Sequence, residues 1–152
     1  MNQQRDNLFE NNFCPRDNNK HLNKQTGNQG EHIAERYLID EGYQILHRGF
    51  HCRVGEIDII AKTTDIDFTG REVDVIAFVE VKTRRSGDYG RACMAVDIHK
   101  QRKIIRVAEQ FMCTNMGQDH LWCDGIFRFD VIEINTWITE PLRHIKNAFQ
   151  VN

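Results

Sequence analysis

From Gly30 onward the apolar positions fall into blocks whose period changes from helical to extended and back. In the first block Glu31, Ala34, Glu35 and Leu38 lie on one side by helical spacing, with Ile33 and Tyr37 adjoining them, and Gly42 supplies a stop. Short apolar runs then predict strands at 43–48, 54–61 and 75–83, with Thr69-Gly70-Arg71 as a turn. Asp97 is a good N-cap for a helix running to Cys113, whose packed side carries Ile98, Ile104, Ile105, Ala108, Phe111 and Met112. Its outer side carries Lys100, Arg102, Lys103 and Arg106. The last clear strand is 126–134, where Phe127, Phe129 and Val131 alternate with Arg128 and Asp130. The order helix, three strands, helix, strand predicts an α/β sheet of about four strands with helices against it.

Two of these strands are interrupted by charge. The run 75–79 is apolar without a break, as in a strand buried on both faces, yet Glu80 and Lys82 follow on one face while Val79 and Val81 point the other way. In Gly55-Glu56-Ile57-Asp58-Ile59-Ile60, Asp58 separates two isoleucines in the same manner. If the strands are neighbours, three charged groups converge where unpaired charge carries a desolvation cost of several kcal/mol. Two carboxylates beside a lysine fit a divalent-metal site for cleaving phosphodiesters. Mg²⁺ needs only one or two protein carboxylates, here Asp58 and Glu80, with water and substrate phosphate completing its shell. The ion would activate a water, and Lys82 would orient that water or balance charge in the transition state. A Glu-x-Lys triplet by itself is usually a solvated outer face; the buried character of the run is what favours chemistry.

Composition adds boundaries. At 152 residues, 40% apolar and 28% charged, the chain suits one compact domain. Residues 1–28 are rich in Asn and Gln and offer too little apolar surface to offset the entropy of ordering; they are expected to be disordered, with the folded domain spanning 29–152. No segment reads as a secretory signal or membrane span, so the expectation is a cytoplasmic protein without membrane contact. The five cysteines (Cys14, Cys52, Cys93, Cys113 and Cys123) are scattered, with no Cys-x-x-Cys pair, and read as reduced thiols. His120-Leu121-Trp122-Cys123 offers two ligands at most, and reads as loop or core.

A net charge of −2 gives no overall field for attracting DNA. Clustering does more. Arg84, Arg85 and Arg91 follow the Glu80 strand, Arg48 and Arg53 precede Asp58, and the second helix adds Lys100 and Lys103, so phosphate contacts could ring the acidic site. Each of these is individually compatible with a solvated face. Gly87-Asp88-Tyr89-Gly90 reads as a loop near the site whose Tyr89 could stack on a base or pack on its own turn. No Walker-type glycine loop and no nucleophile elbow occurs, which argues against nucleotide phosphotransfer and acyl hydrolysis.

Five blocks then follow one another in a recognisable order: Gly30-Glu31-His32-Ile33-Ala34-Glu35-Arg36-Tyr37-Leu38, Gly42-Tyr43-Gln44-Ile45-Leu46, Gly55 to Ala61, Phe78 to Arg84, and Arg128-Phe129-Asp130-Val131-Ile132. Over roughly Gly27 to Trp137 the chain resembles the YraN-type family of bacterial proteins, similar to archaeal Holliday-junction resolvases within the PD-(D/E)xK nuclease superfamily. The resemblance implies a restriction-endonuclease-like fold, with the superfamily aspartate at Asp58, the second acidic ligand at Glu80, the lysine at Lys82 and the helical glutamate at Glu31. It further implies Mg²⁺ or Mn²⁺ as cofactor and a metal-dependent endonuclease acting on structured DNA, branched or single-stranded, and it suggests a homodimer. Glu31 also has a plainer reading, as a carboxylate favoured near a helix N-terminus. Ile57 stands where the superfamily motif has proline, and 62–74 is longer than relatives usually have. The competing expectation is a non-catalytic nucleic-acid or protein adaptor that keeps the fold and the acidic pocket without turnover; a third is a structural ion-pair network.

Overall fold

The computed structural model describes residues 16–84, 96–114, 125–135 and 142–150, with side chains from Gly27 onward. Helix α1 (Arg16–Asp40) leads into strands β1 (Gln44–Cys52), β2 (Gly55–Ile66) and β3 (Glu72–Arg84). Helix α2 (Ile98–Met112) then precedes β4 (Ile126–Asn135) and β5 (Leu142–Phe149). The strands form one sheet in sequence order, antiparallel throughout except for the parallel β3–β4 pair, which α2 connects. This five-stranded mixed sheet between two helices is compatible with a restriction-endonuclease-like fold.

Alternation along the strands divides the core in two. Ile60, Ile76, Phe78, Phe129 and Val131 meet Ile104, Val107, Ala108 and Phe111 of α2. Ile59, Ala61, Ala77, Val79, Ile132 and Ile134 meet Ala34 and Leu38 of α1. Neighbouring residues thus serve opposite layers, which explains why β3 is apolar without a break. α1 stops as its sequence predicts: Gly42 takes φ +84°, its amide bonds Ile39, and the Tyr43 amide bonds Leu38, closing a Schellman motif. Asp97 caps α2, accepting from the amides of His99 and Lys100 at 2.8 and 2.9 Å.

Three expectations change. First, α1 begins at Arg16, inside the segment whose composition suggested disorder through residue 28; residues 1–15 lie outside those described. Second, the 62–74 stretch is mostly ladder, continuing to Ile66 opposite Glu72, with the turn at its tip held by the Asp67 carboxylate, which accepts from the amides of Thr69 and Arg71. Third, Leu142–Phe149 forms a strand, β5, that the apolar pattern does not announce, because Leu142, Ile145, Ala148 and Phe149 do not alternate. The cause is a shift in β4–β5 register at Asn147, which has φ +53° and gives its amide to the Asp130 carboxylate at 2.9 Å rather than to the ladder.

Asp130 and Arg128 also depart from the expected polar-outward alternation. Both are buried on the α1 side of β4, where Arg128 is in register with the small Ala77 and Ala77 with Ala61. The guanidinium donates to both Asp130 oxygens, to Asp65 at 3.0 Å and to the Tyr43 hydroxyl at 2.8 Å, and His144 Nε2 lies 2.9 Å from Asp130. Burial by itself would raise the Asp130 carboxyl, but the bonds from His144, Arg128 and the Asn147 amide outweigh it and hold the group below the usual range. One cluster thereby ties β2, β4 and β5 to Tyr43, the residue that leads into β1. Removing one member strands its partners' charge: Asp130→Ala is expected to lose about 3–5 kcal/mol of stability in urea denaturation at neutral pH, and a loss below 1 kcal/mol would contradict the role given to it.

Candidate functional site

The β2–β3 ladder ends at Ile59 opposite Val79. Beyond that point β3 stays with β4 as far as Arg84 and Asn135, while β2 follows β1 to the turn at Gly55. Asp58 stands where the strands part, and its Oδ2 accepts the Val81 amide at 2.7 Å, a donor that the ladder no longer uses. Glu80, the residue after the last ladder pair on β3, is near enough for its charge to push the Asp58 carboxyl up. Ile57, one residue further out, already packs in the α2 layer rather than with Ile59. The separation of the strands thus opens the sheet at the charged residues.

Glu80 is only 3% exposed. Lys82, two residues on and on the same face, approaches its Oε1 at 2.6 Å. Its Oε2 is buried with no well-aligned hydrogen bond; Lys100 Nζ lies 3.2 Å away, close enough for ion pairing but off the line a hydrogen bond prefers. Lys100 is therefore part of the acidic centre instead of standing on the outer side of α2. The signal was present in the sequence, since 100, 104, 107 and 111 share one helical stripe with the buried Ile104, Val107 and Phe111.

Glu31 reaches the site because α1 sits unusually close to β3. A Cβ on Gly30 would fall 1.9 Å from Thr83 Oγ1, so glycine permits this approach. Glu31 then lines a cleft of about 280 Å³ with Asn28, His32, Glu35, Arg48 and Asp58. Glu35 is an ion-pair residue, bonded to Arg48. A second cleft, of about 420 Å³, is lined by Arg53, Lys100, Lys103, His51 and Glu56 among others. Three of the residues expected to contact phosphate are thus gathered in one place. Arg84 instead approaches Glu133 at 3.9 Å. Arg85, Arg91, Tyr89 and the 120–123 stretch lie outside the described residues.

Electrostatics set Asp58 apart. Burial first and Glu80 second, with a smaller push from Glu31, raise its pKa to about 6 against the opposing pull of the Val81 amide and Lys100. A destabilised carboxylate next to an incompletely satisfied one is a donor set that a hard divalent cation fits. Among the described residues no three His, Cys, Asp or Glu side chains come together as one cluster that could hold a metal ion. Glu31, expected as a further ligand, stands near Asp58 without completing a three-carboxylate set.

Because the folded-state pKa of Asp58 lies above its unfolded value, stability is greatest below pH 4 on this account and falls as pH rises through about 6, by on the order of 3 kcal/mol. Asp58→Asn keeps an acceptor for Val81 but removes the charge. In metal-free buffer it is expected to be more stable than the native protein at pH 7.5, with the difference shrinking at pH 4.5; equal urea midpoints at both pH values would refute the strain assigned to this carboxylate.

The UPF0102 protein of Clostridium tetani is 44% identical over 132 residues, covering 85% of this chain and 97% of that protein. That of Clostridium acetobutylicum is 42% identical over 133 residues, covering 86% and 98%. The UPF0102 protein of Caldanaerobacter subterraneus subsp. tengcongensis is 39% identical over 135 residues, covering 86% and 99%. A family model described as "Uncharacterised protein family UPF0102" matches residues 30–134, which begin at the glycine under Thr83 and contain Asp58, Glu80, Lys82 and Lys100. The chain belongs to this family, UPF0102, which is the YraN-type family its sequence blocks resemble.

Proposed function

We propose that the protein is a divalent-metal-dependent phosphodiester hydrolase, an endonuclease acting on structured DNA, branched or single-stranded. The observation that carries this reading is Asp58, wedged where β2 and β3 part, with its pKa raised to about 6 beside Glu80. Such a group is ionised at neutral pH at a cost to the fold, and a bound cation would relieve that cost. Mg²⁺ or Mn²⁺ bound there would polarise a phosphoryl oxygen and lower the pKa of a water.

The chain's own residues supply the rest. Asp58 and Glu80 would hold the cation. Lys82, about one-third exposed and already beside Glu80, has its ammonium at the edge of the site, where it can donate to the attacking water or to a phosphoryl oxygen as charge builds. Glu31, across the smaller cleft, can accept a hydrogen bond from water and so orient it. Arg53 and Lys103 in the adjoining basic cleft would grip flanking phosphates, which positions a strand without reading its sequence.

A second reading has one observation in its favour: Lys82 and Lys100 already flank Glu80, so the acidic centre is partly neutralised by its own chain. On that reading the protein is a non-catalytic nucleic-acid or protein adaptor with an internal ion-pair network. The two are separated by incubating the purified protein with labelled four-way-junction and single-stranded DNA and Mn²⁺. The nuclease reading expects cleavage that falls at least about a hundredfold in Asp58→Asn and in Lys82→Ala. Cleavage that persists in both variants comes from a contaminant, and DNA binding with neither cleavage nor Mn²⁺ binding favours the adaptor.

A further inference from the structure

Lys100 belongs to two environments at once. Its ammonium lies 3.2 Å from Glu80 Oε2, the buried oxygen that lacks an aligned hydrogen bond. The same side chain lines the 420 Å³ cleft with Arg53 and Lys103, and about a third of it is open to solvent. Its root is fixed, since the Lys100 amide is bonded to the Asp97 cap at 2.9 Å. Four methylenes on an anchored backbone allow the charged head to move without moving the helix.

A cation ligated by Glu80 competes directly with an ammonium placed at Oε2, because both require the same lone pairs and repel one another at close range. Lys82 is less easily displaced, having the shorter contact at 2.6 Å to Oε1. The basic cleft, in contrast, gains from a third cation when a phosphate occupies it.

We infer that Lys100 is a positioning residue exchanged between Glu80 and DNA: in the metal-free protein it stands in for the divalent cation at Oε2, and when the cation binds it turns into the cleft to hold, with Arg53 and Lys103, the phosphate next to the one being cut. This rests on the nuclease reading of the site and specifies how its metal and DNA steps are linked. The consequence is a trade-off. Lys100 weakens metal binding in the free protein, yet makes metal and DNA bind cooperatively, as any exchanged group must by linkage.

The test is binding, not turnover. Mn²⁺ affinity is measured by calorimetry without DNA, and affinity for a fluorescent four-way junction is measured by anisotropy with Ca²⁺ in place of Mn²⁺. Lys100→Met is expected to tighten Mn²⁺ about fivefold or more and to weaken junction binding, while Lys103→Met, which removes the same charge one turn along the helix, weakens junction binding with a smaller effect on Mn²⁺. Lys100→Arg should restore junction binding. Unchanged or weaker Mn²⁺ binding in Lys100→Met overturns the exchange while leaving the metal site standing. Failure of the native protein to bind Mn²⁺ at all overturns the metal site itself, and the exchange with it.

Discussion

A single hydrogen bond marks the place on which the rest of the site depends: the amide of Val81 donates to the carboxylate of Asp58 where two strands part. A backbone amide buried without a partner is costly, so a sheet that opens must supply an acceptor at the opening. Here the acceptor is a side chain with one oxygen engaged and a charge left over. The same group therefore closes the sheet structurally and brings negative charge against Glu80. Burial and that neighbour together account for most of its raised pKa.

Each of the surrounding elements limits how that charge can be relieved. α1 approaches β3 closely enough, over Gly30, to add a third carboxylate nearby. α2 is capped by Asp97 so that its first turn delivers Lys100 to Glu80 and Lys103 to the neighbouring cleft. Acidic centre and basic cleft thus share a wall. On the proposed reading, an extended, negatively charged backbone lying across both would meet the two carboxylates and then the ammonium and guanidinium groups of the cleft.

The molecule contains a second buried polar cluster with the opposite character. Around Arg128 and Asp130 the guanidinium and both carboxylate oxygens find partners on Tyr43, β2, β4 and β5, only His144 Nδ1 lacking one among the groups of that cluster, and the Asp130 carboxyl is held below its usual range. Around Asp58 and Glu80 an oxygen is left without an aligned bond and a carboxyl is held above it. The two carboxyls are thus shifted in opposite directions, Asp130 by its hydrogen-bond partners and Asp58 by burial and a like charge. Both clusters arise from polar residues set in apolar strands, and the strand pattern alone does not distinguish them.

The sequence alone determined the elements that local period and end signals specify: the Gly42 stop, the Asp97 cap and the double-faced β3. Those features depend on residues a few positions apart, so short windows contain them. Only the tertiary structure decided that Lys100 joins the acidic centre, that Arg128 and Asp130 turn inward, and that 142–149 forms a strand. Each of these outcomes depends on groups far apart in the chain. Lys100 meets Glu80 because α2 crosses back over the opened sheet, and β5 tolerates its broken alternation because a carboxylate from β4 takes the amide of Asn147. A charge has no period of its own, and its fate is fixed by whichever distant partner the fold brings within reach.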